Sequence, residues 1–249
     1  MFAATDARLL NNAELEFYRD NGYVVAADLL SAQELSDFID SEESVDPDSG
    51  PRGLQNHNHD EAWDRVARHP NVVTIVRQLL GGRPWVLQSM YMAKQPSGGT
   101  GVALHQDTHY IRNEPNTLMA CWVAFNDTGP DNGGLCVVPG SHKKGLFETD
   151  RVRESEQHTA WEKDYEMKGP DGEEWVEPMY SFDIHAYSED EVTKLEVPAG
   201  SGVFFTSMTI HGSYANLTQD RRRLAFATHF VREGTWVYRK DLQDMVAAN

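Results

Sequence analysis

The sequence lacks the features of secreted, disulfide-stabilised and membrane-spanning proteins. It has two cysteines in 249 residues, Cys121 and Cys136, and both lie inside apolar runs. A pair this sparse provides no disulfide framework, and buried cysteines are common core residues. No apolar run approaches the roughly 20 residues of a membrane helix, and the N-terminus does not show the basic and apolar regions of a signal peptide. We therefore expect a cytoplasmic protein.

Positive charge is also scarce. The 22 Lys and Arg residues are outnumbered by 39 Asp and Glu residues, which gives a net charge of −17. Binding to nucleic acid or to an anionic membrane needs clustered cations, so neither is expected as a partner. A small-molecule ligand is compatible with this charge, whereas the oligomeric state cannot be derived from the sequence.

The first third of the chain is predicted to be mainly helical. A helical pattern in "NNAELEFYRDNGY" ends at Gly22, and Ser31 with Glu34 forms a capping box for a second helix. In "PNVVTIVRQLLGG", Pro70 suits a first helical turn and Gly81 a helix end.

From Trp85 onwards, short β-branched and aromatic segments alternate with turn clusters such as "PSGG" and "GPDNGG". We therefore predict a mainly β fold: a double-stranded β-helix (jelly roll) core with N-terminal and flanking α-helices. A single domain covers 1–249, with a helical part at 1–83 packed on a barrel at 84–238. A charged, aromatic stretch at about 146–191 interrupts the strands and is expected to form a lid-like insertion.

A metal site is indicated by "LHQDTHY" and "TIHGSYAN". His105 and Asp107 are two residues apart on a predicted strand, so their side chains share a face. With His211 they would form the facial triad of two histidines and one carboxylate that non-haem Fe(II) oxygenases use. An isolated His-x-Asp pair is usually only a polar strand end, and His109, with the same parity, is a rival ligand or a partner of the ligands.

A carboxylate-binding arginine is expected within "DRRRLAFATHF". If the metal carries 2-oxoglutarate, the far carboxylate needs a buried cation, and the guanidinium fork suits it. Arg222 shares parity with Leu224, Phe226 and Phe230, the bulkier apolar face, so Arg222 is predicted to point into the barrel. Ser213 shares the face of His211 and can donate a hydrogen bond.

Together, "HQDTHY", "CWVAFNDTGPDNGGLCVVPGSHKKG" and "HGSYAN" followed by Arg222 resemble the phytanoyl-CoA dioxygenase family of Fe(II)- and 2-oxoglutarate-dependent oxygenases. The resemblance covers about Trp85 to Val231, and "YRDNGYVVAADLLSAQEL" is similar to the family's N-terminal elements. It implies that His105, Asp107 and His211 bind iron. It also implies that 2-oxoglutarate is bound by Arg222, Ser213, Trp122 and Met90, although core packing is an equally good interpretation of the last two. Further candidate residues of the pocket are Gln88, Lys94 and Gln106.

The resemblance implies a dioxygenase that hydroxylates an unactivated C–H bond of a small molecule, with release of succinate and carbon dioxide from 2-oxoglutarate and dioxygen. Related halogenases replace the carboxylate ligand with a small residue, so Asp107 favours oxygen insertion. Two alternatives stay open: a cupin-like metalloenzyme that does not use 2-oxoglutarate, and a non-catalytic domain that binds iron or 2-oxoglutarate. Between Glu148 and Glu177, eleven acidic residues face four basic ones, which indicates either a cationic substrate or a solvated lid.

Overall fold

The computed structural model of the protein describes residues 7–46, 53–152 and 158–248. Four α-helices lie in the first third of the chain: α1 (Asn12–Asn21), α2 (Ala32–Glu43), α3 (Glu61–Ala67) and α4 (Pro70–Leu80). Among the described residues, no helix combines the length and the apolar character needed to cross a membrane.

Local capping explains where these helices begin and end. Asn11 and Ser31 each form a capping box, with Glu14 and Glu34 respectively, and so satisfy free N–H groups of α1 and α2. Gly22 ends α1 at φ 81°, a left-handed conformation that is strained for residues with a Cβ atom. The predicted capping box at Ser31 and the predicted helix starting at Pro70 are confirmed.

The described chain also contains sixteen strands, fifteen of which follow α4. The main sheet has the order β1-β12-β5-β14-β2-β16, and a smaller sheet has the order β11-β6-β13-β3. The strands of the main sheet are β1 (Tyr23–Ala26), β2 (Pro84–Lys94), β5 (Met119–Ala124), β12 (Gly202–Thr206), β14 (Arg223–Arg232) and β16 (Val246–Ala247). Those of the smaller sheet are β3 (Val102–His105), β6 (Leu135–Val137), β11 (Thr193–Lys194) and β13 (His211–Ser213).

The two sheets pack face to face. Trp122, Phe205 and Ala227 of the main sheet share a buried cluster with Leu135 and Val137 of the smaller one. This sandwich of antiparallel sheets confirms the predicted mainly β, jelly-roll fold.

The opposite face of the main sheet is covered by the helices. Phe226 and Phe230 of β14 pack in one cluster with Trp63 of α3, Phe38 of α2 and Ile75 of α4. The bulky residues of β14 therefore fill the contact between the helices and the sheet. Its small residues face the other sheet and leave space there.

The insertion contains regular structure that the sequence did not predict. Strands β8 (Glu162–Lys168) and β9 (Glu174–Tyr180) pair as an antiparallel hairpin, and β7 (Asp150–Arg151) pairs with β10 (Phe182–Asp183). Residues 153–157 of the predicted insertion lie outside the described chain. A further short pair, β4 (Asn113–Glu114) with β15 (Trp236–Val237), completes the described strands.

Candidate active site

Three side chains that are distant in the sequence meet between the two sheets. His105 ends β3, His211 begins β13, and the two residues are paired across the strands. Asp107 follows in a 3-10 turn (Asp107–His109) rather than on the strand, so the turn, not strand alternation, directs its carboxylate. All three residues are buried, and one donor atom from each lies within 4.8 Å of the other two.

Hydrogen bonds orient both imidazoles. Nδ1 of His105 donates to the Ala103 carbonyl at 2.8 Å, and Nδ1 of His211 donates to the Thr209 carbonyl at 3.0 Å. Because a carbonyl oxygen only accepts, Nδ1 carries the hydrogen in the neutral form of each ring, and Nε2 is then the nitrogen that can bind a metal. These atoms lie 3.5 Å and 3.6 Å from Oδ1 of Asp107. Ligand atoms about 2.1 Å from a common ion have a similar separation, so the three residues can hold a divalent metal.

A fourth residue, His229 on β14, forms a hydrogen bond with the Asp107 carboxylate. Its Nε2 donates to Oδ2 of Asp107 at 3.2 Å, which leaves Oδ1 directed at the two ligand histidines. His229 is not among the residues predicted from the sequence, although strand alternation places it on the same face of β14 as Ala225 and Ala227.

The electrostatics of the site favour the deprotonated forms that ligate metals. Burial by itself would raise the pKa of Asp107, but the neighbouring His211, His229 and His105 outweigh burial and hold that pKa well below its usual range. Burial, together with the nearby His105, lowers the pKa of His211 to about 4. A carboxylate and a neutral imidazole are therefore present at neutral pH, as metal binding requires.

The prediction that Arg222 points into the barrel is wrong. Arg222 is exposed and its Nη2 pairs with Glu43 of α2 at 2.6 Å. Arg223 is the inward residue: it is 2% exposed and lines the central cavity. The strand alternation was correct, but the bulky face of β14 packs against the helices, so the smaller, mixed face is the interior one.

The guanidinium of Arg223 lacks a compensating anion among the described residues. Its Nε donates to the Gly133 carbonyl and its Nη1 to the Met92 carbonyl, both at 3.1 Å, and the group lies 5.7 Å from the centre of the Trp122 ring. No carboxylate of the described chain is within 4.0 Å of it. A buried cation held only by carbonyls is a binding site for an anion.

Ser213 adds to this anion site, and Lys94, which was predicted as a pocket residue, does not itself line the cavity but contacts Ser213. Nζ of Lys94 donates to Oγ of Ser213 at 2.8 Å and to the Tyr214 carbonyl at 2.5 Å. Since Oγ accepts from Lys94, the hydroxyl hydrogen of Ser213 can be donated to a ligand. Burial, followed by the nearby Arg223, lowers the pKa of Lys94 to about 7.

Of the other predicted residues, Trp122, Met90, Gln88 and Ser213 line the cavity. Gln88 is 4% exposed, and its Oε1 finds no hydrogen-bond partner within the described ranges.

Two further predictions about pocket residues are wrong. Gln106 does not line the cavity; its amide donates to the carbonyls of Gly145 and Met208 and so ties loops together. His109 is not one of the three candidate ligands and does not line the cavity, because the turn at Asp107–His109 interrupts the strand alternation. Its ring packs at 5.2 Å from that of Phe182 instead. Its role as a partner of the ligands stays a prediction.

The metal-binding and anion-binding residues open onto one cavity of about 420 Å³. Its lining contains the three candidate ligands, Arg223 and Ser213, and extends to the aromatic residues Tyr110, Trp161 and Tyr165. A molecule that chelates the metal can therefore reach the buried cation without leaving the cavity.

Comparison with known proteins identifies the family. The sequence profile described as phytanoyl-CoA dioxygenase (PhyH) matches residues 18–224. The chain belongs to this family. Phytanoyl-CoA dioxygenase of Arabidopsis thaliana is 32% identical over 159 residues, which are 64% of this chain and 48% of the plant protein. The peroxisomal human phytanoyl-CoA dioxygenase is 27% identical over 254 residues, 90% of this chain and 69% of the human one.

This member of the phytanoyl-CoA dioxygenase family spans about half to three fifths of the length of several curated relatives. A Danio rerio relative, for example, is 31% identical over 73% of this chain, and the match covers 57% of the Danio rerio protein. Solved structures share its fold. The carbocyclase SnoK from nogalamycin biosynthesis superposes with a TM-score of 0.69 at 22% identity, covering 94% of this chain and 88% of SnoK. EctD from S. alaskensis, solved with 2-oxoglutarate and 5-hydroxyectoine, has a TM-score of 0.63 at 16% identity and covers 93% and 79%.

Proposed function

We propose that the protein is a non-haem Fe(II)- and 2-oxoglutarate-dependent dioxygenase that hydroxylates an unactivated C–H bond of a small molecule and releases succinate and carbon dioxide. One observation carries this proposal: the triad of His105, Asp107 and His211 and the uncompensated guanidinium of Arg223 open onto the same cavity. A metal-chelating keto acid with a second, distant carboxylate matches both features.

The donor set fits iron. Two imidazole nitrogens and one carboxylate oxygen form the ligand set of non-haem Fe(II) oxygenases and leave positions for further ligands. When bound, the iron supplies the oxidising chemistry, together with 2-oxoglutarate and dioxygen. His105 and His211 would hold the ion through Nε2 and Asp107 through Oδ1, while His229 fixes the orientation of the carboxylate.

The cosubstrate would be anchored at its far end by Arg223 and Ser213. The guanidinium offers charge-assisted hydrogen bonds, and the hydroxyl of Ser213 is oriented by Lys94. Trp122 and Met90 also line the cavity and would exclude water from the bound cosubstrate. Excluding water strengthens the electrostatic contacts on which this anchoring depends.

Structural relatives and the site itself favour the use of iron and 2-oxoglutarate over the two alternatives. The epimerase SnoN, a match with TM-score 0.68 and 18% identity over 92% of this chain and 86% of SnoN, was solved with Fe3+ and alpha ketoglutarate. A metalloenzyme that does not use a dicarboxylate has no need of a buried cation such as Arg223. A non-catalytic binding domain need not retain all three ligands and the anion site together. The predicted cytoplasmic location and single-domain organisation stay predictions.

The direct test is production of succinate from 2-oxoglutarate by the iron-loaded protein in air. We expect succinate and carbon dioxide in equal amounts, dependent on Fe(II) and lost in Asp107→Ala. Arg222→Met serves as the control, because this arginine lies on the surface. If the loaded protein binds 2-oxoglutarate but forms no succinate, with or without candidate substrates, the non-catalytic alternative is correct.

A further inference from the structure

The insertion contributes an aromatic surface to the cavity, not a charged one. The residues of 146–191 that line it within the described chain are Trp161, which precedes β8, and Tyr165 on β8. Tyr110 continues this surface towards the metal site: its ring lies 5.6 Å from that of Trp161 and 5.4 Å from that of His105. We call Tyr110, Trp161 and Tyr165 the aromatic wall.

The acidic residues of the hairpin lie outside the cavity. Glu162 pairs with Arg151, and both side chains are about half exposed. Glu166 and Glu174 pair with Lys240 at 3.0 Å and 3.1 Å, and neither glutamate lines the cavity. The acidic residues of this segment that the structure describes therefore form a solvated surface, and none of their carboxylates lines the cavity.

The charge that does reach the aromatic wall is positive. Arg239 is 3% exposed, lines the cavity, and places its guanidinium carbon 4.0 Å from the centre of the Tyr165 ring. Its Nε and Nη2 donate to the two carboxylate oxygens of Asp241 at 3.1 Å and 2.7 Å. Arg239 thus already occupies one face of Tyr165 as a cation, and its charge disfavours a second cation at this ring.

Nη1 of Arg239 can still donate a hydrogen bond to a ligand. Within the described chain, Nη1 has a single contact, to the Tyr110 carbonyl at 3.5 Å, which is too long for a strong hydrogen bond. Because Asp241 already compensates the charge of Arg239, a neutral acceptor such as a ketone suits this donor better than a second carboxylate. Among the described lining residues, Asp107 is the one carboxylate, and it serves the metal.

The solvent-exposed part of the cavity lining includes apolar side chains as well. Leu54 and Val102 line the cavity although they are 48% and 40% exposed, and Trp161 is 40% exposed. Exposed apolar side chains around a concave opening are typical of a site that takes up an apolar ligand.

From these contacts we infer that the substrate is an uncharged, ring-containing molecule whose ring packs on the aromatic wall and whose carbonyl or ether oxygen accepts a hydrogen bond from Arg239. This inference rests on the proposed function, since it describes the substrate side of the same cavity. A ring on the wall lies beside His105, so one of its C–H bonds can be held close to the metal.

The test compares naphthalene derivatives that share a ring system and differ in one group. The probes are 2-acetylnaphthalene, 2-ethylnaphthalene, 2-naphthoate and 2-naphthylmethylammonium, titrated calorimetrically into protein loaded with Mn(II) and 2-oxoglutarate. We expect the ketone to bind about tenfold more tightly than each of the others, which is about 1.4 kcal/mol. Tightest binding of the ammonium or the carboxylate, or no binding of the ketone, overturns the inference.

Variants of two tryptophans from the same insertion locate the binding surface. Trp161→Ala should weaken ketone binding about tenfold, and Trp161→Phe should restore most of it, because a ring remains. Trp175→Ala is the matched control, since Trp175 packs near Tyr238 and does not line the cavity. Equal losses in Trp161→Ala and Trp175→Ala overturn the inference.

The same titrations separate this inference from the proposed function. Heat from 2-oxoglutarate binding to the Mn(II) protein reports on the proposed function alone, and the probes are also titrated without 2-oxoglutarate. Binding of 2-oxoglutarate with a preference for the ammonium probe refutes only the inference. Absence of 2-oxoglutarate binding refutes the proposed function, whatever the probes do.

Discussion

The adjacent arginines of "DRRR" allow a sharp test, because Arg222 and Arg223 differ in burial but not in chemistry. We compare Arg223→Met with Arg222→Met. In Arg223→Met, 2-oxoglutarate loses its charge-assisted partner inside the cavity, whereas Arg222→Met removes an exposed ion pair with Glu43.

The expected magnitudes are far apart. Removing one partner of a buried, hydrogen-bonded charge pair costs about 2–5 kcal/mol, which weakens 2-oxoglutarate binding by about 30-fold to several thousand-fold. Arg222→Met should change the free energy of unfolding by about 0–1 kcal/mol, as exposed ion pairs do, and leave 2-oxoglutarate binding unchanged.

Without ligand, Arg223→Met should be little less stable than the wild type. Loss of the hydrogen bonds to the Gly133 and Met92 carbonyls destabilises the fold by about 1–3 kcal/mol each. This is offset because an uncompensated cation no longer has to be buried.

Thermal unfolding of the metal-loaded protein, with and without 2-oxoglutarate, measures both effects. At a concentration about 100 times the dissociation constant, the ligand stabilises by about 2.7 kcal/mol, which raises Tm by about 5–10 °C in a chain of this size. This rise should be present in the wild type and Arg222→Met. In Arg223→Met, at the same ligand concentration, the stabilisation should fall to about 1 kcal/mol or less, which is a rise in Tm of about 0–4 °C. A rise that disappears in Arg222→Met and persists in Arg223→Met would refute the reasoning.

Three further predictions concern the carboxylate ligand, the anion site and the core. His229→Ala should weaken metal binding about 10–100-fold, measured by Mn(II) titration, because the hydrogen bond that orients Asp107 is lost. His229→Gln should recover part of the metal affinity, and equal affinity in the wild type and both variants would contradict the orienting role of His229. Because burial lowers the pKa of Lys94 to about 7, the ammonium loses its proton as pH rises through that value. The affinity for 2-oxoglutarate should therefore fall about tenfold between about pH 6 and 8. If Lys94→Met shows the same pH dependence of affinity, Lys94 is not its cause. Phe226→Ala should destabilise the fold by about 3–5 kcal/mol in urea unfolding, since the fully buried ring packs 5.2 Å from that of Trp63; a cost below about 1 kcal/mol contradicts the packing.

The sequence predicted those helices whose first and last residues have recognisable capping signals. Ser31 and Glu34 define the start of α2, and Pro70 and Gly81 bound α4, because caps depend on residues close in sequence. The hairpin of β8 and β9 was not predicted. Its inner residues Tyr165 and Met167 do alternate, but charged residues on the outer face hide this pattern.

The choice between the arginines could not be made from strand parity alone. Parity states which residues share a face, but it does not state which face meets the helices and which meets the cavity. Phe226 and Phe230 occupy the contact with the helices, and the small Ala225 and Ala227 leave room for a ligand beside Arg223. A mixed polar and small face is therefore the better signal of a cavity in a sheet that is covered on both sides.

The central claim is tested most directly by a crystal structure of the protein with Mn(II) and 2-oxoglutarate, grown without oxygen. It should show one ion about 2.0–2.2 Å from Nε2 of His105 and His211 and from the Asp107 carboxylate, with the keto acid on the metal and the far carboxylate on Arg223. An ion with other ligands, or a dicarboxylate bound away from Arg223, would contradict the account.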